Sequence, residues 1–190
     1  MYPELKQRTT NLGSFQNKGF ERGAPRWKEW LWLIINGLFF INPLSVVSRV
    51  KVFWLRVFGA EVGKGVMIKP GVNIKFPWKL SIGNHCWIGE NVWIDNLAQV
   101  RIQDHVCLSQ GAFLLCGNHD YTKTSFDLIT KPIVLETGVW IGAKAVVCPG
   151  VTCASHAVLA VGSVATKDLE AYAIYQGNPA VKVRERRIVA

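Results

Sequence analysis

The residue best suited to chemistry is His119, which lies within the segment Gly117-Asn118-His119-Asp120-Tyr121. An imidazole titrates near neutral pH, so a neutral His119 could accept a proton from a hydroxyl group. Asp120 could orient that ring, or it could simply be a solvated loop residue. The segment therefore predicts a general base on a loop, the kind of element on which catalytic residues are concentrated.

The other three histidines do not complete a metal site with His119. His85, His105 and His156 each follow an aliphatic residue by three positions, a turn position that explains them without chemistry. A catalytic zinc ion needs three histidine or mixed ligands and an open coordination position. His119 has no histidine three to five residues away, and His105 is 14 residues earlier. We therefore expect no metal ion.

A second candidate site lies towards the C-terminus, where small residues such as Gly142 and Ala143 interrupt the strands. Small side chains leave backbone amides open to an extended ligand such as a pantetheine arm, as a strand edge binds a peptide. Lys167, Lys182 and Arg184 could contact phosphate groups. Each signal is weak alone, because Thr166 and Lys167 are also typical of solvated corners.

A six-residue pattern from residue 62 to residue 164 predicts the framework that positions these residues. Each unit begins with an aliphatic side chain, and a small side chain usually follows four positions later. The starting positions are Val62, Ile68, Ile74, Ile82, Ile88, Ile94, Ile102, Leu108, Leu114, Leu135, Ile141, Val147, Cys153 and Leu159. Hexapeptide periodicity is typical of a parallel β-helix. The position three residues after each start is mostly Gly, Asn or His, which tolerate positive φ and favour a corner.

The breaks in the pattern indicate the shape of the coils. Three units make one coil of a prism, and two extra residues at one corner give coils of about twenty residues. Leu114 and Leu135 are 21 residues apart, where a regular corner would take eight. We therefore predict about five coils, with a protruding loop near 118–130. Because the ends of such a prism are open, caps or oligomers are expected.

Composition and charge narrow the classes of function. The chain has 190 residues, of which 49% are hydrophobic, and a formal net charge of +9. The excess positive charge lies in the first 60 and the last nine residues, so the repeat itself is neutral. This argues against a uniform nucleic-acid-binding face. Five cysteines without a CxxC pair, and a polar stretch over residues 1–23, favour a cytoplasmic protein without a signal peptide.

The pattern divides the chain into a basic, helical extension at 1–60, the repeat domain at 61–170 and a basic tail or cap at 171–190. Residues 30–41 are nearly all apolar, but twelve residues are too few to span a bilayer. Beyond Pro43, apolar residues recur at helical spacing, with Arg49, Lys51 and Arg56 between them. Two helices that cap the prism explain this pattern. A basic amphipathic surface lying on an anionic membrane also explains it, and the two can coexist.

These features together resemble the hexapeptide-repeat acyltransferases, and more narrowly the colanic acid biosynthesis O-acetyltransferases. The broader resemblance covers residues 61–187 and rests on the repeats, the His119 loop, Trp140-Ile141-Gly142-Ala143 and Gly177-Asn178-Pro179-Ala180. The narrower one adds Phe20-Glu21-Arg22-Gly23, Phe58-Gly59-Ala60, Phe76-Pro77-Trp78-Lys79-Leu80, Trp93-Ile94-Asp95-Asn96-Leu97 and Ser109-Gln110-Gly111-Ala112. Two departures stand out: Cys153-Ala154 replaces a commoner aliphatic-Gly start, and the basic residue after Ala180 is shifted by one position.

The resemblance implies an all-β solenoid, a left-handed parallel β-helix that forms homotrimers with active sites between adjacent subunits. It gives His119 the role of general base. It implies that acetyl-CoA contacts Gly142, Ala143, Val161, Thr166, Lys167 and Arg184. Our own prediction for the acceptor contacts is Asp95, Asn96 and Asp120.

The function that the resemblance implies is direct acetyl transfer from acetyl-CoA to a sugar hydroxyl of an exopolysaccharide or glycolipid precursor. Backbone amides near Gly142 would stabilise the oxyanion. Two alternatives remain open. The acceptor could be a small molecule such as serine, a free sugar or an antibiotic, or the prism could be a non-catalytic scaffold or a zinc hydratase.

Overall fold

The computed structural model describes residues 9–16 and 19–189 and opens with helices that precede the repeat. A 3-10 turn at Leu12–Ser14 is followed by α1 at Arg26–Ile35, which continues directly into a π-helical segment at Asn36–Ile41. Pro43 ends this segment, because the residue before a proline is disfavoured in the helical region. α2 spans Ser48–Val57. In the described ranges, no helix is both long enough and apolar enough to cross a bilayer.

Short strands make up the rest of the chain. They are β1 Glu61–Val62, β2 Met67–Ile68, β3 Asn73–Ile74, β4 Leu80–Ile82, β5 Trp87–Ile88, β6 Trp93–Asp95, β7 Val100–Ile102, β8 Cys107–Leu108, β9 Phe113–Leu115, β10 Gly117–His119, β11 Leu128–Thr130, β12 Ile133–Leu135, β13 Trp140–Ile141, β14 Val146–Val147, β15 Thr152–Cys153, β16 Val158–Leu159, β17 Val164–Ala165, β18 Ala173–Gly177 and β19 Ala180–Glu185. A 3-10 turn at Pro77–Lys79 fills one widened corner.

The strands form the three faces of a parallel solenoid. Face A contains β1, β4, β7, β12 and β15, face B runs from β2 through β5, β8, β13 and β16 to β18 and β19, and face C contains β3, β6, β9, β14 and β17. Five complete coils are present, and a sixth begins where Leu169 bridges Cys153 and β18 pairs with β16. The final strand, β19, turns back antiparallel on β18. The prediction of a parallel repeat prism is therefore confirmed.

The registers reproduce the spacing of the sequence pattern. Ser81 pairs with both Glu61 and Arg101, so these coils repeat every 20 residues. Arg101 then pairs with Val134, a step of 33 residues (134 − 101), 13 more than the regular coil. The extra residues leave the prism as an antiparallel hairpin of β10 and β11, in which His119 pairs with Leu128. The protruding segment is thus a hairpin whose two stems are regular strands.

The turn positions behave as the pattern predicts. His85, His105 and His156 adopt φ of 54°, 58° and 60°, the left-handed conformation that the corner requires. The need for a left-handed residue at each corner therefore explains why histidine occurs at these three positions.

Among the residues that the structure describes, no group of three His, Cys, Asp or Glu side chains is arranged to hold a metal ion.

The N-terminal helices cover the first coil of the prism. Trp32 is buried and its Nε1 donates a 2.7 Å hydrogen bond to the carbonyl of Ile74. Lys51 is fully buried, and its Nζ donates to the carbonyl of Lys69 at 2.7 Å. Arg56 donates to the carbonyls of Val62 and Gly63. The expectation that Lys51 belongs to an outward basic surface is therefore wrong, because its ammonium is buried against the first coil. Arg56 remains exposed while it donates to these carbonyls.

Candidate active site

The ring of His119 is held by two contacts within the hairpin. Its Nδ1 lies 2.9 Å from the carbonyl oxygen of Phe126, and the two rings stack with their centroids 4.4 Å apart and 8° from parallel. A carbonyl oxygen can only accept a hydrogen bond, so Nδ1 carries the proton. In the neutral ring, Nε2 is then the unprotonated nitrogen. The hairpin therefore presents His119 in the tautomer that a general base at Nε2 requires.

Phe126 can turn its carbonyl towards His119 because of an unusual backbone conformation. Its φ is +52°, in the left-handed region that bulky side chains seldom adopt. The carbonyl orientation, rather than a neighbouring carboxylate, fixes the imidazole. Sequence reasoning missed this residue, since nothing in the spacing of Lys123–Asp127 announces a left-handed turn.

Asp120 does not orient the imidazole. Its carboxylate accepts hydrogen bonds from the backbone and the hydroxyl of Thr122, at 3.1 and 2.6 Å, and lies 3.6 Å from Lys123 Nζ. The hydrogen bonds from Thr122 are the main reason that the pKa of Asp120 is lowered. The carboxylate thus shapes the hairpin turn, and the possibility that it orients His119 is wrong.

A segment of the N-terminal extension lies against the hairpin. The backbone N–H of Asn11 donates to the carbonyl of Thr124 at 2.8 Å, and the ring of Phe15 lies 5.8 Å from that of His119. A cavity of about 460 Å³ opens here, lined in part by Ser14, Gln16 and Asp120. This contact could not be predicted from the sequence, because the residues are more than 100 positions apart.

The two predicted acceptor residues at 95 and 96 have different environments. Asp95 is 8% exposed, and its Oδ1 lies 3.3 Å from Lys75 Nζ without accepting a hydrogen bond from any described residue. A methyl group on Gly117, at the base of the hairpin, would lie 3.8 Å from Asp95 Oδ2. This carboxylate is therefore beside the point where the hairpin that carries His119 leaves the prism.

Asn96 is completely buried, and both polar atoms of its side-chain amide form hydrogen bonds with the backbone of the widened corner. Its Oδ1 accepts from the N–H of Phe76 at 3.0 Å, and its Nδ2 donates to the carbonyls of Phe76 and Lys79. The side chain has no exposed atom for a ligand. We therefore assign Asn96 to the widened corner and no longer to acceptor contact.

An open groove lies between α1 and face C. It has a volume of about 400 Å³ and combines aromatic walls with polar and charged groups. Its lining includes Trp30, Trp93, Arg26, Glu29, Asn36 and Lys75. Trp93 stacks on Phe113 of the next coil at 4.8 Å. Aromatic faces beside a few convergent polar groups suit a sugar-sized ligand.

The corner between faces B and C carries Ala143 and Val161, and we call it the amide edge. No described residue accepts a hydrogen bond from the N–H of Ala143 or Val161. At the corner between faces A and B, by contrast, side chains accept from the amides of Asn84, Thr137 and Ser155. The amide edge therefore keeps donors free for a ligand, whereas the other corner satisfies its own.

Gly142 serves the amide edge by allowing close packing. A Cβ there would lie 2.6 Å from Val161 N and 2.8 Å from Leu159 O, so only glycine fits between the coils. The N–H of Gly142 donates to Leu159 O at 2.8 Å. It is therefore not available to an oxyanion, and Ala143 supplies the nearest open amide.

The predicted phosphate contacts lie on other parts of the surface. Thr166 and Lys167 are exposed at the corner between faces C and A, the corner from which the hairpin leaves, which we call the hairpin edge. Arg184 is exposed on β19, where it pairs with Ile174. Lys182 is engaged by Glu170 and Glu185, at 2.7 and 2.8 Å, and these carboxylates raise its pKa.

A single chain does not bring the two halves of the predicted site together. His119, Thr166 and Lys167 belong to the hairpin edge, whereas Ala143 and Val161 belong to the amide edge. All of face C, including β14, lies between these edges. Chemistry that uses both edges therefore needs a second chain.

No protein-family model matches the chain. The chain is 38% identical over 169 residues to the Escherichia coli K12 protein named as a colanic acid biosynthesis acetyltransferase, WcaF, and the match covers 89% of this chain and 92% of that protein. The chain belongs to the hexapeptide-repeat acetyltransferases.

Two further members extend this relationship. The acetyltransferase is 28% identical over 147 residues to the galactoside O-acetyltransferase of Escherichia coli K12, covering 76% of this chain and 71% of that protein. It also matches a Vibrio cholerae hexapeptide-repeat acetyltransferase, solved in complex with acetyl coenzyme A, with a TM-score of 0.79 at 24% identity, over 92% of this chain and 97% of the other. The solenoid is thus the left-handed β-helix of these enzymes.

Proposed function

We propose that this acetyltransferase moves the acetyl group of acetyl-CoA to a hydroxyl of a sugar in an exopolysaccharide or glycolipid precursor, with His119 as the general base. The observation that carries the proposal is the 2.9 Å contact between His119 Nδ1 and the carbonyl of Phe126, which leaves Nε2 free to accept a proton. The relatives support the acceptor class, since one is named for colanic acid biosynthesis and another for galactosides.

The proposed reaction is a direct transfer. His119 Nε2 accepts the hydroxyl proton as the sugar oxygen attacks the thioester carbonyl carbon. Ala143 N–H, on the amide edge, donates to the oxyanion that develops. As the C–S bond breaks, the CoA thiolate leaves with the bonding electrons, and the imidazolium returns the proton to it. The sugar ester and free CoA are the products.

The environment of the cysteines favours transfer without an acyl-enzyme intermediate. Cys116 is the cysteine nearest to His119 in sequence, and burial raises the pKa of its thiol to about 12. Burial likewise raises the pKa of Cys153 to about 12. A thiolate is the nucleophilic form of cysteine, so these groups are poor nucleophiles at neutral pH.

All five cysteines are unpaired thiols, which supports the proposal that the enzyme works in the cytoplasm.

The acetyl-CoA site follows from the open donors of the amide edge. The free N–H groups of Ala143 and Val161 suit the amide oxygens of a pantetheine arm, and the close packing at Gly142 keeps that edge flat. Lys167 and Arg184 are exposed cations that can meet the phosphate groups. Together these residues suit acetyl-CoA, the co-substrate that the family resemblance implies.

A homotrimer would complete the site. The hairpin edge of one subunit, with His119, Thr166 and Lys167, would face the amide edge of its neighbour, with Ala143 and Val161. Closed three-fold symmetry repeats this contact three times, so each assembly has three sites. The separation of the two edges by face C supports this arrangement.

The acceptor would lie in the groove between α1 and face C. Trp30 and Trp93 offer flat faces to a sugar ring, and Lys75 and Asp95 offer polar contacts on the side towards the hairpin. The buried Oδ1 of Asp95 lies 3.3 Å from Lys75 Nζ, while the side chain as a whole keeps 11% of its surface exposed towards a sugar hydroxyl. Asp95 is therefore our proposed acceptor contact.

The proposal is tested by acceptor-dependent release of the CoA thiol. The purified enzyme is given acetyl-CoA and, in separate reactions, free sugars, serine, an aminocyclitol antibiotic, and sugars linked to a polyprenyl phosphate. Release with sugars alone, with the ester located on a hydroxyl by NMR, supports the proposal. Release with serine or the antibiotic, and none with any sugar, would contradict the acceptor class while leaving the acetyltransferase in place.

A further inference from the structure

The outward side of the N-terminal helices is almost entirely apolar. We call this surface the apolar face; it consists of Trp27, Trp30, Leu31, Leu33, Ile34, Leu38, Ile41, Leu44, Val46, Val47, Val50, Phe53 and Val57. Every one of these side chains is exposed, from 36% at Val50 to 85% at Leu44. Single exposed apolar residues are ordinary on a protein surface, but a continuous patch of this size marks an interaction site.

The helices have their polar groups on the inner side. Asn36 is buried and donates from Nδ2 to Asn73 Oδ1 at 2.8 Å, and the fully buried Lys51 donates to the carbonyl of Lys69. A helix on the surface of a water-soluble protein has the reverse arrangement, with its apolar stripe inward and its charges outward. Here the solenoid binds the polar side chains of Asn36 and Lys51, and the outer surface of the helices is left largely apolar between exposed arginines.

The charges around the apolar face are mainly positive. No Asp or Glu occurs from residue 30 to residue 60 of the sequence. Glu29, immediately before this stretch, is half-buried and forms an ion pair with Arg22 at 2.7 Å. Arg26, Arg49 and Arg56 are exposed beside the apolar residues. The rim of the apolar face is therefore mainly cationic, with three exposed arginines and one exposed carboxylate close by, that of Glu61.

We propose that the apolar face docks on the surface of a bilayer that contains anionic phospholipids. Exposed tryptophans beside arginines are the combination that favours the headgroup boundary, where the indole rings meet the acyl chains and the cations meet phosphate groups. A second copy of the chain is a poorer occupant, because a symmetric contact would bring two mainly cationic rims together. The apolar face is thus a peripheral membrane-binding surface.

Docking by the apolar face would place the catalytic hairpin near the headgroups. The helices cover the first coil, and the hairpin leaves the solenoid between β9 of the third coil and β12 of the fourth. Coils stack about 4.8 Å apart, so two coils put the hairpin roughly 10 Å along the axis from the covered end. The helix layer adds roughly another 10 Å, a distance that a sugar carried on a membrane lipid through a diphosphate or further sugars would span. This consequence rests on the proposed function, whereas the docking itself does not.

Vesicle sedimentation tests the docking surface directly. The full chain is mixed, without acetyl-CoA or acceptor, with vesicles of phosphatidylglycerol and phosphatidylcholine or of phosphatidylcholine alone. The test variant is Ile34→Gln/Leu38→Gln/Phe53→Gln, which changes three residues that are each more than half exposed and lie outside the groove. The matched control is Val181→Gln/Val183→Gln/Ile188→Gln, which changes three exposed apolar residues of the C-terminal strand and tail.

We expect the wild type and the control to sediment with the anionic vesicles, and the test variant to bind at least about tenfold more weakly, because binding scales with the apolar area inserted. Added salt should weaken the wild-type interaction. Failure of the wild type to sediment, or equal sedimentation of the test variant, would overturn the proposal. A fall in the oligomeric mass of the test variant by light scattering would also overturn it, by assigning the apolar face to a contact between subunits. Acetyl-CoA affinity, measured in parallel, verifies that the variants are folded.

Discussion

His119 Nδ1 and the carbonyl oxygen of Phe126 lie 2.9 Å apart, and this hydrogen bond decides which imidazole nitrogen can act as a base. The bond lies wholly within the hairpin, so the solenoid positions the hairpin and the hairpin positions the base. The proposed acetyl-CoA contacts Ala143 and Val161 lie elsewhere, on the amide edge. Face C separates this edge from the hairpin within one chain.

Mixed assemblies should recover activity that neither parent has. His119→Ala removes the base from the hairpin edge, and Ala143→Trp fills the amide edge. When the two variants are co-expressed in equal amounts, about a quarter of the sites in random trimers combine an intact base with an intact neighbouring amide edge. We expect about that fraction of the wild-type kcat, measured by thiol release. An inactive mixture, with mixed assemblies verified by mass spectrometry, would mean that one chain supplies both edges.

Gly142→Ala should weaken acetyl-CoA binding and the fold together. The new Cβ would meet Val161 N at 2.6 Å, and because this contact is with backbone, the coils must shift. We expect a loss of about 1–3 kcal/mol in the free energy of unfolding and a higher KM for acetyl-CoA. Gly37→Ala is the matched control, since a Cβ there meets nothing within 4 Å. Equal KM values for the two variants would contradict the role given to the amide edge.

Lys167→Ala and Arg184→Ala should each raise the Kd for acetyl-CoA without lowering kcat at saturation. A charge-assisted phosphate contact contributes about 1.5–3 kcal/mol, so a tenfold or larger effect is expected by calorimetry. Lys182→Ala is the control, because Glu170 and Glu185 already engage that ammonium. If the control weakened binding as much as the test variants, the phosphate contacts would have to be reassigned.

The buried Lys51 predicts an unusual dependence of stability on pH. Burial lowers the pKa of its ammonium to about 8 from the ordinary value of 10.5. Between these values the unfolded chain binds more protons than the folded one, so stability rises with pH in this window. Below pH 8 the ammonium is charged in both states, and the penalty for burying it is fully present.

The difference in unfolding free energy between the wild type and Lys51→Met isolates this effect. It should move in favour of the wild type by about 3 kcal/mol between pH 7.5 and 10.5, measured by urea denaturation. A difference that stays constant with pH would mean that Lys51 reaches solvent in the folded protein.

The repeat framework could be predicted because every coil obeys the same steric rule. Ile88 and Leu108 face the core, and His85 and His105 take the left-handed corner, as their positions in the pattern require. The number of extra residues in the hairpin also followed from counting. Local periodicity is enough for these features, since each coil contacts only its neighbours.

The details of the site were not predictable from spacing. The Phe126 carbonyl depends on one left-handed residue in an irregular turn, and the contact of Phe15 with His119 joins distant parts of the chain. Asn96 looked like a ligand group because it is polar, yet it is buried to hold a corner. Lys51 looked like a surface cation for the same reason. The polar type of a residue alone does not show whether its side chain binds a ligand or forms hydrogen bonds with the backbone.

The central claim is that His119 is the base in a direct transfer, and His119→Ala tests it most directly. The kcat of acceptor-dependent thiol release should fall roughly 10²–10⁴-fold, while the Kd for acetyl-CoA by calorimetry stays at the wild-type value. His156→Asn, which keeps a residue that tolerates the left-handed corner, should retain wild-type kcat. A near-normal kcat in the His119→Ala variant would contradict the account.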